Sequence, residues 1–159
     1  MMRPASGGPI LTSPMPAARF TTPDQPGEMR YSLEVRRSRI NGRGLFATAR
    51  LPGRRKLGEI GGRLVRLPQA WREVRKTDCI CLIEIDPRTA LDCSGGNSFR
   101  FLNHSCAANC YMRIAHRRVE VYTRRPIHPG EELTVDYGIT PHEGGMDCGC
   151  GAPGCKGAL

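Results

Sequence analysis

RFLNHSCAANC at residues 100–110 and CGCGAPGC at 148–155, with GEELTVDYG at 130–138 between them, decide how this chain is read. The first stretch sets one cysteine, Cys106, in a polar Asn-His-Ser loop. The second brings Cys148, Cys150 and Cys155 in a CxCx4C cluster. Three thiolates fall one short of the four ligands of a closed tetrahedral zinc site. The candidates for the fourth are Cys79, Cys81, Cys93, Cys106, Cys110 and the four histidines. Cys79, Cys81 and Cys93 sit in or beside apolar runs, where a buried thiol behaves as a small hydrophobe. Cys106, in its polar loop, is better placed to donate a thiolate, and Cys110 is its rival. With Cys106 as a ligand, the metal pins the C-terminal tail onto the Asn103-His104 loop. A pocket is then built from two distant stretches.

The chain has 159 residues, 39% of them hydrophobic, which suits one domain around one modest core. No apolar run approaches the roughly 18 residues of a membrane span, and the N-terminus carries no secretory pattern. An intracellular, reducing setting is expected, favouring metal or free thiols over disulfides. The net charge of +9 is uneven. Residues 30–76 hold fourteen Arg or Lys against three acids, a net +11, while residues 77–159 net −2. That basic half fits nucleic acid, an acidic partner or merely a solvated surface.

Residues 1–29, rich in Pro, Gly, Ser and Thr, read as a disordered leader. Tyr31, Leu33 and Val35 alternate with polar residues as a half-buried strand does, and Asn41-Gly42-Arg43-Gly44 follows as a turn. Leu57–Ile60 and Leu64–Leu67 read as strands of a hairpin turning at Gly61-Gly62. Pro68 opens a helix through about Lys76, with Trp71 and Val74 facing inward. Cys79–Ile85 is a β-rich run, and residues 92–97 form a Gly-rich loop. Tyr111–Ala115 and Val119–Thr123 are strands joined by His116-Arg117-Arg118. Glu132–Val135 is the last strand, with Glu131-Glu132 a solvated strand edge. The class is mostly β with one small helix.

Four blocks, SRINGRGLFA at 38–47, NSFRFLNHSCAANC at 97–110, GEELTVDYG at 130–138 and CGCGAPGCKG at 148–157, resemble in order the SET-domain protein lysine methyltransferases with a post-SET zinc tail. The resemblance covers about Tyr31 to Leu159. It implies a SET domain over 30–140 and a zinc-binding tail over 141–159. The implied fold is several small β-sheets around a C-terminal pseudoknot, a threading that sequence physics alone would not supply. It implies S-adenosyl-L-methionine as methyl donor and one structural zinc. Carried over position by position, Asn41, Gly42, Arg43 and Gly44 line the methionine end of the cofactor. Arg100, Phe101, Asn103 and His104 form its floor, and Gly149 closes over the adenine. Tyr137 takes the catalytic position, and Cys106 joins Cys148, Cys150 and Cys155 on the metal.

The family commonly has aromatic residues where this chain has Ile60, Ile80 and Val135 along the substrate channel. Aliphatic walls give up cation–π contacts and widen the channel, which implies higher methylation states. The expected substrate is a protein presenting a lysine, a histone or histone-like chain among them. Nucleic acid is a further expected partner through residues 30–76, and a membrane is not. A monomer is expected. The form is similar to small stand-alone bacterial members, hence cytoplasmic in a bacterium and nuclear in a eukaryote or when delivered to a host. The rival readings are a non-catalytic SET-like binding module and a small zinc-stabilised nucleic-acid-binding protein.

Overall fold

The computed structural model describes residues 19–20, 31–74, 81–138 and 147–158. In chain order the strands are β1 (Arg19–Phe20), β2 (Leu33–Arg37), β3 (Arg43–Ala47), β4 (Lys56–Glu59) and β5 (Arg63–Arg66). After helix α1 (Leu67–Val74) come β6 (Leu82–Asp86), β7 (Thr89–Asp92), a 3-10 helix (Ser98–Phe101) and β8 (Asn103–His104). The last strands are β9 (Cys110–Ala115), β10 (Arg118–Thr123) and β11 (Glu132–Val135). They form a five-stranded sheet in the order β1-β2-β3-β11-β8 and two three-stranded sheets, β4-β10-β9 and β5-β7-β6. The mostly-β expectation is met. Among the described residues no helix is long and apolar enough to cross a membrane.

Alternation explains β2: Leu33 and Val35 are buried while Arg36 and Arg37 are exposed. Its antiparallel partner β3 buries Leu45 and Ala47, and Val35 pairs with Leu45. β11, the last strand in the chain, does not lie at the sheet edge. It pairs antiparallel with β3 and parallel with β8, through Thr134 to Asn103 and Val135 to His104. Leu133 and Val135 of β11 join Leu45, Leu51, Phe99, Val119, Val121 and Ile127 in one core. Each such aliphatic or aromatic side chain contributes roughly 1.5–3 kcal/mol on burial.

The hairpin expected at Gly61-Gly62 does not form. β4 pairs with β10, and β5 pairs with β7 in another sheet, so the two glycines carry the chain between sheets. Val119 and Val121 of β10, and Ala90 and Leu91 of β7, offer buried partners that direct β4–β5 pairing would leave uncovered. The helix buries Ala70, and Trp71 is half-buried. Residues 75–76 of the expected helix and 79–80 of the expected strand lie outside the described residues, as do the leader apart from β1, and 139–146. Four elements were not foreseen: β7, β8, the 3-10 helix and β1, which pairs with β2 within the stretch read as a disordered leader. The hairpin β9–β10 turns on His116 and Arg117, both with positive φ (50° and 61°). Two successive left-handed residues are what a tight hairpin needs, and they usually select Asn or Gly.

Candidate functional site

The site lies where β3 begins and β8 and β11 end. Gly42 takes a φ of +42°, in the left-handed region, with open space beside it. At Gly44 a Cβ would overlap the carboxylate of Glu132, so the glycine leaves the space in which that carboxylate sits. Glu132 also accepts from the Ser38 hydroxyl at 2.9 Å and from Asn103 Nδ2 at 2.7 Å. Buried Asn103 shares the same amide with the carbonyls of Asn41 (3.2 Å) and Arg43 (3.0 Å). Three of the sequence blocks are thereby tied through one side chain. With its NH2 committed to the protein, Asn103 retains its carbonyl oxygen as an acceptor.

The 3-10 helix supplies the adjoining surface. Asn97 caps it by accepting from the Phe99 N–H at 3.3 Å, and Phe99 anchors it in the core. The ring of Phe101 then meets two guanidiniums, Arg43 and Arg100, each 4.6 Å from its centroid. Arg100 also donates to the carbonyl of Ser94. Arg43, Arg100, Phe101 and Asn103, named from the sequence, are therefore brought together.

The second part is the sulfur cluster. The ligand atoms of Cys106, Cys148, Cys150 and Cys155 all lie within 4.8 Å of one another. Cys106 is 3.9 Å from Cys148 and from Cys155, and Cys150 is 3.5 Å from Cys155. Four sulfurs about 2.3 Å from one zinc would lie about 3.8 Å apart, so the set fits a tetrahedral ion. The N–H groups of Cys106 and Ala152 pull the Cys150 thiol down to about 6. The Cys150 N–H favours the Cys148 thiolate, yet desolvation and its sulfur neighbours push it up to about 12. Four crowded thiols cannot all ionise alone, and a divalent cation removes that conflict. Cys110 is fully buried and its thiol is pushed up to about 12 by burial, which fits a core residue and not a ligand. Cys93 is likewise a buried thiol, donating to the Cys81 carbonyl at 3.0 Å.

His104 joins the two parts. Its Nδ1 accepts from the Tyr137 N–H at 3.1 Å, so the proton sits on Nε2, which donates to Cys106 Sγ at 3.4 Å. One imidazole thus spans from the cluster to the backbone of Tyr137. The Tyr137 hydroxyl donates to the Leu102 carbonyl at 2.7 Å, and the residue is 42% exposed. The tail returns over the first block: a Cβ on Gly149 would come 3.1 Å from the Ile40 carbonyl. Ile60 and Val135 are both buried in the core cluster. Ile80 lies outside the described residues.

Sequence reasoning missed two residues. Glu132, read as a solvated strand edge, is half-buried and organises Ser38 and Asn103. A buried amide at 103 needs acceptors, and that requirement was the available signal. Asn109 is buried, accepts from the Thr134 N–H at 2.9 Å and donates to the Glu132 carbonyl at 2.8 Å, pinning β11. Nothing in its spacing pointed to that role.

Small sheets carrying a polar cradle beside a four-thiol cluster define a metal-compatible ligand-binding β domain. The family model for the SET domain matches residues 42–138, and the chain belongs to the SET-domain family. The chain is 33% identical over 137 residues to histone-lysine N-methyltransferase SETD1 of Drosophila melanogaster, covering 80% of this chain and 8% of that protein. It is 36% identical over 134 residues to the H3 lysine-4 specific histone-lysine N-methyltransferase of Schizosaccharomyces pombe, covering 77% and 14%. The chain therefore spans a small fraction of the relatives it matches. Among solved structures it is similar to KRYPTONITE in complex with mCHH DNA, H3(1-15) peptide and SAH. The TM-score there is 0.70 at 29% identity, over 82% of this chain and 30% of that one.

Proposed function

We propose that this domain transfers methyl groups from S-adenosyl-L-methionine to the side-chain amine of lysine in a protein, with histone tails as the first substrates to test. The observation that carries the reading is the single imidazole of His104, which links the backbone of Tyr137 to Cys106 of the cluster. Relatives named as histone-lysine methyltransferases support it.

S-adenosylmethionine supplies, when bound, a methyl group made electrophilic by its sulfonium. The remaining work belongs to this chain. The carbonyl oxygen of Asn103 and the carbonyls of residues 41–43 offer acceptors to an amino-acid ammonium. The Arg43–Phe101–Arg100 stack offers a flat apolar ring edged by cations. Cys106, Cys148, Cys150 and Cys155 would hold one zinc, which keeps Gly149 against Ile40. Lysine must arrive neutral although its ordinary pKa is about 10.4, and desolvation beside a cation lowers it. The Tyr137 hydroxyl gives its proton to the Leu102 carbonyl, and a phenol oxygen is an acceptor as well as a donor. We assign Tyr137 to orienting the lysine amine and stabilising the charge that develops on nitrogen. Near-attack placement of this kind contributes up to about 7–11 kcal/mol in well-oriented systems. That Ile60, Ile80 and Val135 are aliphatic where the family commonly carries aromatic residues supports higher methylation states as the product. The domain is taken to act as a monomer, in the nucleus if its host is a eukaryote and in the cytoplasm if it is a bacterium.

The test is mass spectrometry of histone H3 and H4 peptides after incubation with S-adenosylmethionine, for the parent and Tyr137→Phe. Lysine methylation by the parent, di- or trimethyl at exhaustion, is expected. The variant should lose at least about a hundredfold in turnover while keeping its affinity for S-adenosylhomocysteine. Cofactor binding without transfer to any lysine-bearing protein would favour a non-catalytic module.

A further inference from the structure

Two loops meet at the end of the first sheet remote from the site, one between β3 and β4 and the other between β10 and β11. Leu51 and Ile127, both buried, exchange backbone hydrogen bonds of 2.9 and 3.0 Å across them. Buried Thr123 fastens the next turn. Its hydroxyl donates to the Pro52 carbonyl at 2.7 Å and accepts from the Arg55 N–H at 3.0 Å. Its carbonyl accepts from the Arg54 N–H at 3.0 Å. Gly53 lies so close to the facing loop that a Cβ would come 2.9 Å from Pro126. Arg54 is held in the left-handed region, φ 57°, where a side chain is strained.

The two joined loops carry four exposed arginines: Arg50, Arg54 and Arg55 on one and Arg124 at the start of the other. The acids nearby are already engaged. Glu131 pairs with Arg125 at 2.7 Å, Glu120 with Arg113 and Lys56, and Glu59 with Lys56 and Arg118. Among the described residues no carboxylate pairs with Arg50, Arg54, Arg55 or Arg124. Arg124 instead donates to the Cys110 carbonyl and lies over the Tyr111 ring. The length of β3, four residue steps of about 3.3 Å or about 13 Å, separates the start of that strand from the loops that carry this face.

We propose that this arginine face binds the phosphate backbone of duplex nucleic acid. Guanidinium forks match phosphate oxygens. The loops that carry them are held by backbone clamps, which suits a stiff, regularly charged polyanion better than a flexible acidic chain. Duplex binding also gains from counterion release. Because the face stands apart from Tyr137, a duplex and a lysine-bearing tail can be held together. The proposal does not rest on the methyl-transfer reading.

The experiment is fluorescence anisotropy with a labelled duplex of about 20 base pairs, between about 50 and 200 mM salt. The parent should bind with a steep salt dependence. Arg54→Gln, Arg55→Gln and Arg124→Gln combined should weaken binding at least about tenfold at the lowest salt. They should also flatten the log–log slope by about 3, at about 0.9 for each phosphate that is no longer neutralised. Arg54→Gly alone removes one charge and eases the backbone. It should flatten the slope by about 1 with no loss of melting temperature. Affinity for S-adenosylhomocysteine should stay constant throughout, which separates this surface from the cofactor site. No binding by the parent, an unchanged slope in the triple variant, or displacement of the duplex by polyglutamate at equal charge would each overturn the proposal.

Discussion

Glu132 shows how much one carboxylate can organise. It receives Ser38 and Asn103 and fills the space that glycine leaves at position 44. Glu132→Ala would remove the charged acceptor of the Asn103 amide and leave it only the carbonyls of Asn41 and Arg43. Hydrogen bonds to charged groups contribute about 1.5–3 kcal/mol. We therefore expect S-adenosylhomocysteine affinity to fall by about tenfold or more, read by calorimetric titration, and Glu132→Gln to recover part of it. Equal affinity in both variants would reduce Glu132 to a packing residue. The polar residues of the cradle were legible in the sequence because Asn-His-Ser and Gly-x-Gly stretches are conspicuous and match a family. Glu132 and Asn109 were not, because their importance arises from partners about 30 and 25 positions away in the chain. A single sequence does not say which buried amide meets which acid.

Among the elements, short apolar runs bounded by turn residues were read well. β2, β9, β10 and β11 fall within a residue or two of their expected bounds, and in β2 and β10 the period-two burial is a local property. Strand partners were read poorly. The two strands flanking Gly61-Gly62 join different sheets because pairing depends on which distant strand offers buried surface. The β9–β10 turn also hides its nature, with His116 and Arg117 where Asn-Gly is favoured. Replacing them by Asn and Gly should raise stability by about 1 kcal/mol, measured as a higher urea midpoint. A lower midpoint would mean that the Arg117 bond to Thr89 matters more than the backbone strain. On the same strand, Arg113 first and then Lys56 hold the Glu120 carboxyl down to about 2. A depressed carboxylate stabilises the fold above its ordinary pKa of about 4.3 and loses that effect as the pH falls through about 2. Glu120→Gln should therefore melt lower than the parent near neutrality and converge with it near pH 2. A gap that stays constant across that range would contradict the assignment.

For the whole molecule, the metal centre joins the two ends of the site. Zinc analysis of the purified protein should find about one ion per chain, set by the four thiols. Chelation should then release the tail from Ile40 and Cys106, exposing residues 147–158 to protease before the sheets yield. S-adenosylhomocysteine affinity should drop in parallel. An unaltered digestion pattern after complete metal removal would show that the tail is held by packing alone. The position of β11 has a consequence of another kind. A ribosome must deliver residue 135 before the largest sheet is complete, because β3 and β8 each pair with β11 and not with each other. Until then the nascent chain carries two bare strand edges, which invite pairing with neighbours. Translation that stops short of this point would leave not a smaller domain but a sticky fragment, and slow, chaperone-dependent maturation is the natural result of such long-range closure.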